Sequence, residues 1–296
     1  MKTLPIIFPH NGVPTLFVDG EPFIALGGEI HNSSASSLIY METNVWPYLR
    51  GLYLNTVILP VYWELLESER GVFDFTLVDG ILQQARREGV RLVLLWFGLW
   101  KNGESFYAPE WVKLDSLTYF RACHPGAVPS NTVSPLCTAG VRADAAAFRP
   151  LLGALREVDC EKQNVLIVQV ENAKSWSESE HGVQSAAGTW AEVFGEAAPE
   201  MFMAWHYARA VEQIASAGRE EYPLPLFVNA WLEQFPERPG SYPSGGPIAR
   251  LMPLWKLAAP SLCLFAPDIY LADFVGVCQE YMAHDNPLFI PEARLD

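Results

Sequence analysis

Short apolar runs alternate with amphipathic stretches along most of the chain. The apolar runs show no regular alternation with polar residues, which is typical of strands buried on both faces of a parallel sheet. They cover residues 23–28, 56–62, 91–97, 165–170, 226–231, 262–269 and 288–291. Helical spacing of apolar residues is found over 36–52, 76–88, 144–159, 199–216, 246–258 and 271–283, and Gly89 and Gly218 are predicted helix caps. This strand–helix alternation predicts an α/β fold.

The number of apolar runs bears on the architecture. An α/β barrel closes with eight parallel strands and has about 250 residues. The chain has 296 residues, so we predict a single TIM-barrel catalytic domain over 1–296. Seven runs are found, so this (β/α)8 barrel is expected to lack its eighth strand, which would follow Glu292. An Asp19-Gly20 pair predicts a small β-hairpin before the first barrel strand.

Composition and charge exclude several classes of protein. The net charge is −14, and no basic patch exists to neutralise nucleic-acid phosphates. Five cysteines without a Cys-x-x-Cys pair argue against a zinc site and favour reduced thiols. No run of 18 apolar residues predicts a membrane span. Pro5 and Pro9 interrupt the N-terminal apolar run, so no signal peptide is expected, and we predict a cytoplasmic protein without a metal or cofactor. The sequence leaves the oligomeric state open.

The candidate chemistry lies where the predicted strands end. In an α/β barrel the working residues lie at the carboxyl ends of the strands. Those ends carry carboxylates and amides, which bind hydroxyl groups, and aromatic rings, which stack on the apolar C–H face of a sugar. The residues are Glu29, Tyr62, Glu64, Trp100, Lys101, Glu171, Asn172, Trp231, Asp268, Tyr270 and Glu292. Each has an ordinary structural explanation alone, and their recurrence at all seven ends predicts a glycoside site.

Several of these segments also resemble the signatures of one enzyme family. The segments are 27–32 (GGEIHN), 61–64 (VYWE) followed by 71–75 (GVFDF), 96–103 (WFGLWKNG), 168–172 (VQVEN) and 287–292 (PLFIPE). In this order they resemble glycoside hydrolase family 35 β-galactosidases, particularly a branch with additional C-terminal β domains. The resemblance extends over nearly the whole chain and implies a retaining exo-β-galactosidase on a TIM barrel, with a terminal β-galactoside as its substrate.

The resemblance also assigns roles to individual residues. It implies that Glu292 is the nucleophile. The family's general acid/base carboxylate corresponds to Ala173 here, so that carboxylate is absent. Strand periodicity predicts that Glu171 shares a face with position 173 but lies deeper in the barrel, too far for direct proton transfer. The predicted substrate-binding residues are Asn172, Glu64, Tyr62, Trp100, Lys101, Trp231 and Tyr270, with Asp268 orienting a neighbouring side chain.

The missing carboxylate leaves several functions open. General acid–base help contributes roughly 10²–10⁴-fold to rate, so the sequence predicts an impaired β-galactosidase. One alternative is a galactoside-binding protein that has lost its chemistry. Another is a related barrel glycosidase with a different sugar specificity, such as a β-glucosidase or an α-L-arabinopyranosidase. A metal-dependent barrel lyase or isomerase is disfavoured because the acids are spread singly over the strands, without His–carboxylate clusters.

Overall fold

The computed structural model describes residues 3–124, 128–172, 184–185, 188–238 and 244–294. The strands are β1 Ile6–His10, β2 Val13–Val18, β3 Glu21–Pro22, β4 Gly27–Glu29, β5 Thr56–Tyr62, β6 Arg91–Phe97, β7 Arg121–His124, β8 Val128–Val133, β9 Val165–Asn172, β10 Gln184–Ser185, β11 Gly188–Thr189, β12 Leu226–Trp231, β13 Leu264–Ile269 and β14 Glu292–Ala293. The α-helices are α1 Leu38–Tyr40, α2 Trp46–Leu49, α3 Trp63–Leu66, α4 Thr76–Glu88, α5 Glu110–Lys113, α6 Thr138–Asp159, α7 Trp190–Phe194, α8 Ala198–Glu221, α9 Met252–Ala258 and α10 Phe274–Tyr281.

A parallel sheet of seven strands forms the centre of the molecule. Its order is β4-β5-β6-β9-β12-β13-β14, so each strand pairs with the next one of the sheet in chain order. The sheet curls into a nearly closed barrel, and helices cover its outside. Within the described residues, β4 and β14 are the outermost strands. The predicted TIM-barrel architecture with seven strands is therefore confirmed.

The barrel strands follow the predicted apolar runs closely in the middle of the sheet. β5, β6 and β12 have the predicted bounds, and every residue of β5 is buried. The two outermost strands do not have the predicted bounds: β4 covers Gly27–Glu29 and not 23–28, and β14 covers Glu292–Ala293, beyond the predicted 288–291. β14 begins only at Glu292, and Leu288 before it is 41% exposed. A run at the edge of a sheet has a pairing partner on one side only, so its apolar pattern does not guarantee a ladder along its full length.

Close packing between α6 and α8 corrects one predicted helix end. Gly218 lies inside α8 and does not cap it. A Cβ at Gly218 would lie 2.4 Å from the ring of Phe148 on α6, so this glycine permits close approach of the two helices. Gly89 does cap α4: it has φ +72°, and its N–H donates to the carbonyls of Ala85 and Arg86.

A small antiparallel sheet precedes the barrel. The predicted hairpin is confirmed as β2 and β3, and Asp19 and Gly20 both have positive φ, as its tight turn requires. β1 adds a third strand through a second turn at Asn11 and Gly12. The sequence analysis missed β1 because prolines interrupt its apolar pattern, although the Asn-Gly signal was present. Among the described residues, no helix is both long and apolar enough to cross a membrane.

Candidate active site

A hydrogen bond between the ends of two neighbouring strands defines the centre of the site. Glu292 begins β14 and lies in register with Asp268 of β13. Tyr270 follows the last residue of β13, and its hydroxyl donates to Oε2 of Glu292. Burial raises the pKa of the Tyr270 phenol, and the hydrogen bond and negative charge of Glu292 raise it further. The phenol therefore stays protonated and donates to a carboxylate that the sequence predicts as a nucleophile.

Asp268 lies beside Glu292 in the sheet and is held by the strand on its other side, β12. It is 1% exposed, and both of its carboxylate oxygens accept from Nδ2 of Asn229, each at 3.0 Å. The charges of Asp268 and Glu29 also raise the pKa of Tyr270. The negative charges of three carboxyl groups, Glu292, Asp268 and Glu29, therefore keep the phenol protonated. The partnership with Asn229 agrees with the expected orienting role of Asp268.

Two of the three predicted stacking residues come together at this end of the barrel. The rings of Trp231 and Tyr270 lie 5.4 Å apart between centroids, with planes inclined at 37°. Trp231 is half-buried and Tyr270 is 39% exposed. Each therefore keeps part of its surface open, and the pair forms an aromatic wall beside the Glu292 carboxylate.

Trp100 does not belong to that wall. It is fully buried, its indole N–H donates to the carbonyl of Val133 at 2.8 Å, and its ring lies 5.0 Å from that of Tyr207 on α8. A ring without exposed surface cannot stack on a sugar, so this predicted role is wrong. A residue at a strand end lies at the level of the active site along the barrel axis. The local backbone conformation decides whether its side chain points into the site or into the surrounding core.

Two of the three predicted residues from the ends of the second and third strands, Tyr62 and Lys101, pack against Phe97, whereas Glu64 pairs with Lys113. Glu64, in the first turn of α3, accepts from Nζ of Lys113 at 2.7 Å, and both side chains are 35% exposed. Lys101 is buried, with Nζ 4.6 Å from the centre of the Phe97 ring. Tyr62 is also buried and packs edge-on against Phe97 at 5.9 Å, and burial raises its pKa. Of these residues, Glu64 is the one with substantial exposed surface.

The end of β9 contains a bulge that sequence periodicity does not reveal. The register changes between Phe227 and Asn229 of β12, and Glu171 has φ +64°. Its side chain therefore leaves the barrel interior, and its oxygens accept from the backbone N–H groups of Leu99 at 2.8 Å and Trp100 at 2.6 Å. The prediction that Glu171 lies inside the barrel is wrong, and its predicted relation to position 173 lies outside the described residues. Alternation of side chains fails at a bulge with a left-handed residue.

The bulge also sets the backbone position of Asn172. Its Cα lies in register with Asn229 of β12, and Asn229 donates to Asp268 on the strand beyond, so Asn172 and Asp268 are two strands apart. Ala173 lies outside the described residues, so the absent acid/base carboxylate stays a prediction from the sequence. Among the residues that the structure describes, no group of three or more His, Cys, Asp or Glu side chains is arranged to hold a metal ion.

Sequence comparison finds no matching protein-family model and no matching curated protein. Solved structures do match. The catalytic domain of β-amylase from Paenibacillus polymyxa superposes with a TM-score of 0.63 at 11% identity, covering 88% of this chain and 84% of that one. A β-galactosidase from Bacillus circulans sp. alkalophilus gives 0.59 at 11% identity, over 84% of this chain. A GH10 protein from Paenibacillus barcinonensis gives 0.54 at 12%, covering 91% and 69%.

These matches define the class of fold. The neighbours are TIM-barrel glycoside hydrolases, and this chain has the same type of barrel. It spans 40% of the length of the β-galactosidase. At identities of 11–12%, the likeness extends to the fold alone.

Proposed function

We propose that this barrel is a retaining exo-β-galactosidase-type glycoside hydrolase whose nucleophile is Glu292. The observation that carries the proposal is the hydrogen bond from Tyr270 to Glu292 at the carboxyl end of the sheet. A retaining glycosidase needs a carboxylate held in a fixed direction, and a phenol that stays protonated supplies that hold. The galactoside specificity rests on the resemblance of the sequence motifs to family 35.

The proposed first step forms an ester between Glu292 and the sugar. A carboxylate oxygen of Glu292 attacks the anomeric carbon, and the bond from that carbon to the leaving oxygen breaks. The Trp231–Tyr270 wall supports the apolar face of the sugar, and Glu64 and Asn172 are the proposed hydroxyl partners, whereas Lys101 and Tyr62 are buried and are not proposed to contact it. In the second step, water attacks the same carbon and releases Glu292. The reaction gives the β-configured sugar, because the two displacements each invert the centre.

Ala173 limits both steps. A retaining enzyme uses a second carboxyl group about 5–5.5 Å from the nucleophile to protonate the leaving oxygen and then to activate water. Alanine at that position does neither. The loss corresponds to roughly 10²–10⁴-fold in rate. Natural galactosides have alkoxide leaving groups and are affected most in the first step, whereas an activated phenolate leaves without a proton.

The direct test is the time course of phenolate release from 2,4-dinitrophenyl β-galactoside. We expect a burst of one equivalent followed by slow turnover, because the galactosyl ester accumulates when no base activates water. Azide ion needs no base, so it should attack the ester, speed the turnover and yield β-galactosyl azide. Glu292→Gln is the matched control and should show neither burst nor azide effect. A wild-type protein without a burst, tested on folded material, contradicts the proposal.

A second candidate function is galactoside binding without catalysis. It is favoured by the alanine at position 173, which leaves the binding residues in place but removes a reacting group. Saturable galactose binding together with the absence of any burst would support it. The same burst assay with aryl glucosides and arabinosides separates both candidates from a barrel glycosidase of different sugar specificity.

A further inference from the structure

Two carboxyl groups meet in a fully buried position between β6, β9 and α6. Asp144 of α6 and Glu171 of β9 are both 0% exposed. The backbone N–H of Leu99 donates to Oδ2 of Asp144 at 2.7 Å and to Oε1 of Glu171 at 2.8 Å. Because one N–H reaches both, the two oxygens lie side by side. The carboxyls are within hydrogen-bonding reach of each other.

The other contacts of this pair are also N–H donors. The indole of Trp96 donates to Oδ1 of Asp144 at 2.7 Å, and the N–H of Trp100 donates to Oε2 of Glu171 at 2.6 Å. Within the described residues, neither carboxyl forms an ion pair. The other titratable group that acts on Asp144 is Glu67, just beyond α3, itself an acid bound to the indole of Trp63 at 2.7 Å. No positive charge among these contacts offsets two negative ones.

The backbone conformations at Gly98 and Glu171 allow the two carboxyl groups to lie close together. A Cβ at Gly98 would lie 2.3 Å from both Asp144 Oδ2 and Glu171 Oε1, so a residue with a side chain does not fit there. Glu171 itself has φ +64°, which is unfavourable for a glutamate. Burial raises the pKa of both carboxyls, and the charge of Asp144 raises that of Glu171 further, well above its ordinary value.

We propose that Asp144 and Glu171 share one proton in the folded protein, as a carboxylic acid hydrogen-bonded to a carboxylate. At neutral pH the unfolded carboxyl is ionised, so Glu171 takes up this proton from the solvent when the chain folds, and no other bond forms or breaks. The shared proton joins α6 to the bulge of β9, and the N–H groups of Leu99 and Trp100 tie the same pair to the segment that follows β6. Asp144 and Glu171 are positioning residues for the barrel mouth. This last step rests on the proposed function, whereas the proton itself does not.

Infrared spectroscopy of the wild-type protein at neutral pH tests the proton. A protonated carboxylic acid has a C=O stretching band that an ionised carboxylate lacks. We expect one such band, shifted when the protein is made with ¹³C-carboxyl glutamate, and lost in Glu171→Gln. Asp79→Asn on α4 is the matched control and should leave the band unchanged. Absence of the band in the labelled wild-type protein overturns the proposal, whether or not the variants fold.

The pH dependence of thermal unfolding gives an independent measurement. The raised pKa of Glu171 means that the folded state holds a proton that the unfolded chain releases above its ordinary pKa of 4.5. The contribution of this carboxyl to stability should therefore be fully present below that value and be lost as pH rises through the folded pKa. Glu171→Gln should remove this part of the slope. An unchanged slope, despite a folded variant, overturns the proposal.

The proposed role of Asp144 and Glu171 in positioning the barrel mouth is tested by the pH dependence of the burst rate. In wild-type protein the burst rate with 2,4-dinitrophenyl β-galactoside should fall as the shared proton is lost at high pH, and Asp144→Asn should shift that profile. An unshifted profile overturns the positioning role but leaves the shared proton to the infrared result. Absence of any burst in the wild-type protein, with the infrared band present, instead contradicts the proposed function.

Discussion

The hydroxyl of Tyr270 donates a hydrogen bond to Oε2 of Glu292, and the two residues lie at the ends of adjacent parallel strands. The ring of Tyr270 also packs against Trp231, on the next strand of the sheet. One side chain therefore connects the predicted nucleophile to the predicted sugar-stacking surface.

Tyr270→Phe removes the hydrogen bond and keeps the ring. A hydrogen bond to a charged group contributes about 1.5–3 kcal/mol, so the burst with 2,4-dinitrophenyl β-galactoside should be slower by about 10- to 100-fold. Thermal stability should change little, because the ring still packs against Trp231. A Phe variant with the wild-type burst rate would show that Tyr270 does not orient Glu292.

Ala173→Glu should restore the missing acid/base group. We expect turnover of lactose to rise by roughly 10²–10⁴-fold, the contribution of general acid–base catalysis. Ala173→Gln is the control, since it has nearly the same shape and cannot transfer the proton. Equal rates for the Glu and Gln variants would exclude position 173 as the acid/base position.

Alanine substitutions of Trp100 and Trp231 should separate a tryptophan of the core from one that binds the sugar. Trp100→Ala removes a fully buried ring and should lower the free energy of unfolding by about 3–5 kcal/mol. Trp231→Ala should leave stability closer to wild type and weaken galactose binding, because this ring is half-buried at the mouth of the barrel. Denaturant unfolding and calorimetric titration measure the two effects. The reverse pattern would contradict the assignment of Trp231 to the sugar wall.

Alanine substitutions at Gly98 and Gly153 are expected to change stability in opposite directions. Gly98→Ala places a Cβ 2.3 Å from the Asp144 and Glu171 oxygens and should destabilise the protein by about 1–3 kcal/mol. Gly153→Ala lies inside α6, where the nearest atom would be 3.9 Å away. Alanine there should stabilise by about 0.5–1 kcal/mol, because it favours the helix. Urea unfolding of both variants checks the signs, and equal shifts would argue against the close carboxyl pair.

The parts of this structure that the sequence predicts are those set by long, uniform patterns. β5, β6 and β12 follow continuous apolar runs, and the Asp19-Gly20 turn follows from the conformational freedom of its two residues. Their order along the chain then places Glu292 and Tyr270 at one end of the barrel. These features depend on the hydrophobicity and conformational preferences of the residues themselves, which can be read from the sequence.

The parts that the sequence does not predict depend on single backbone angles. Glu171 leaves the barrel interior because one residue adopts positive φ within a bulge, and no residue type at that position signals it. Trp100 turns into the core because the Gly98–Trp100 turn is held by the Asp144–Glu171 pair, whose partner residues are far apart in the chain. The position of a residue at a strand end therefore predicts that it lies near the mouth of the barrel. It does not predict which way its side chain points.

The most direct test of the account is the intact mass of the protein after incubation with 2,4-dinitrophenyl β-galactoside, followed by peptide mapping. Mapping identifies the residue that carries the sugar, which a rate cannot do. The account predicts one galactosyl group esterified to Glu292. An adduct on any other residue, or unmodified folded protein, would contradict Glu292 as the nucleophile of a galactoside-cleaving barrel.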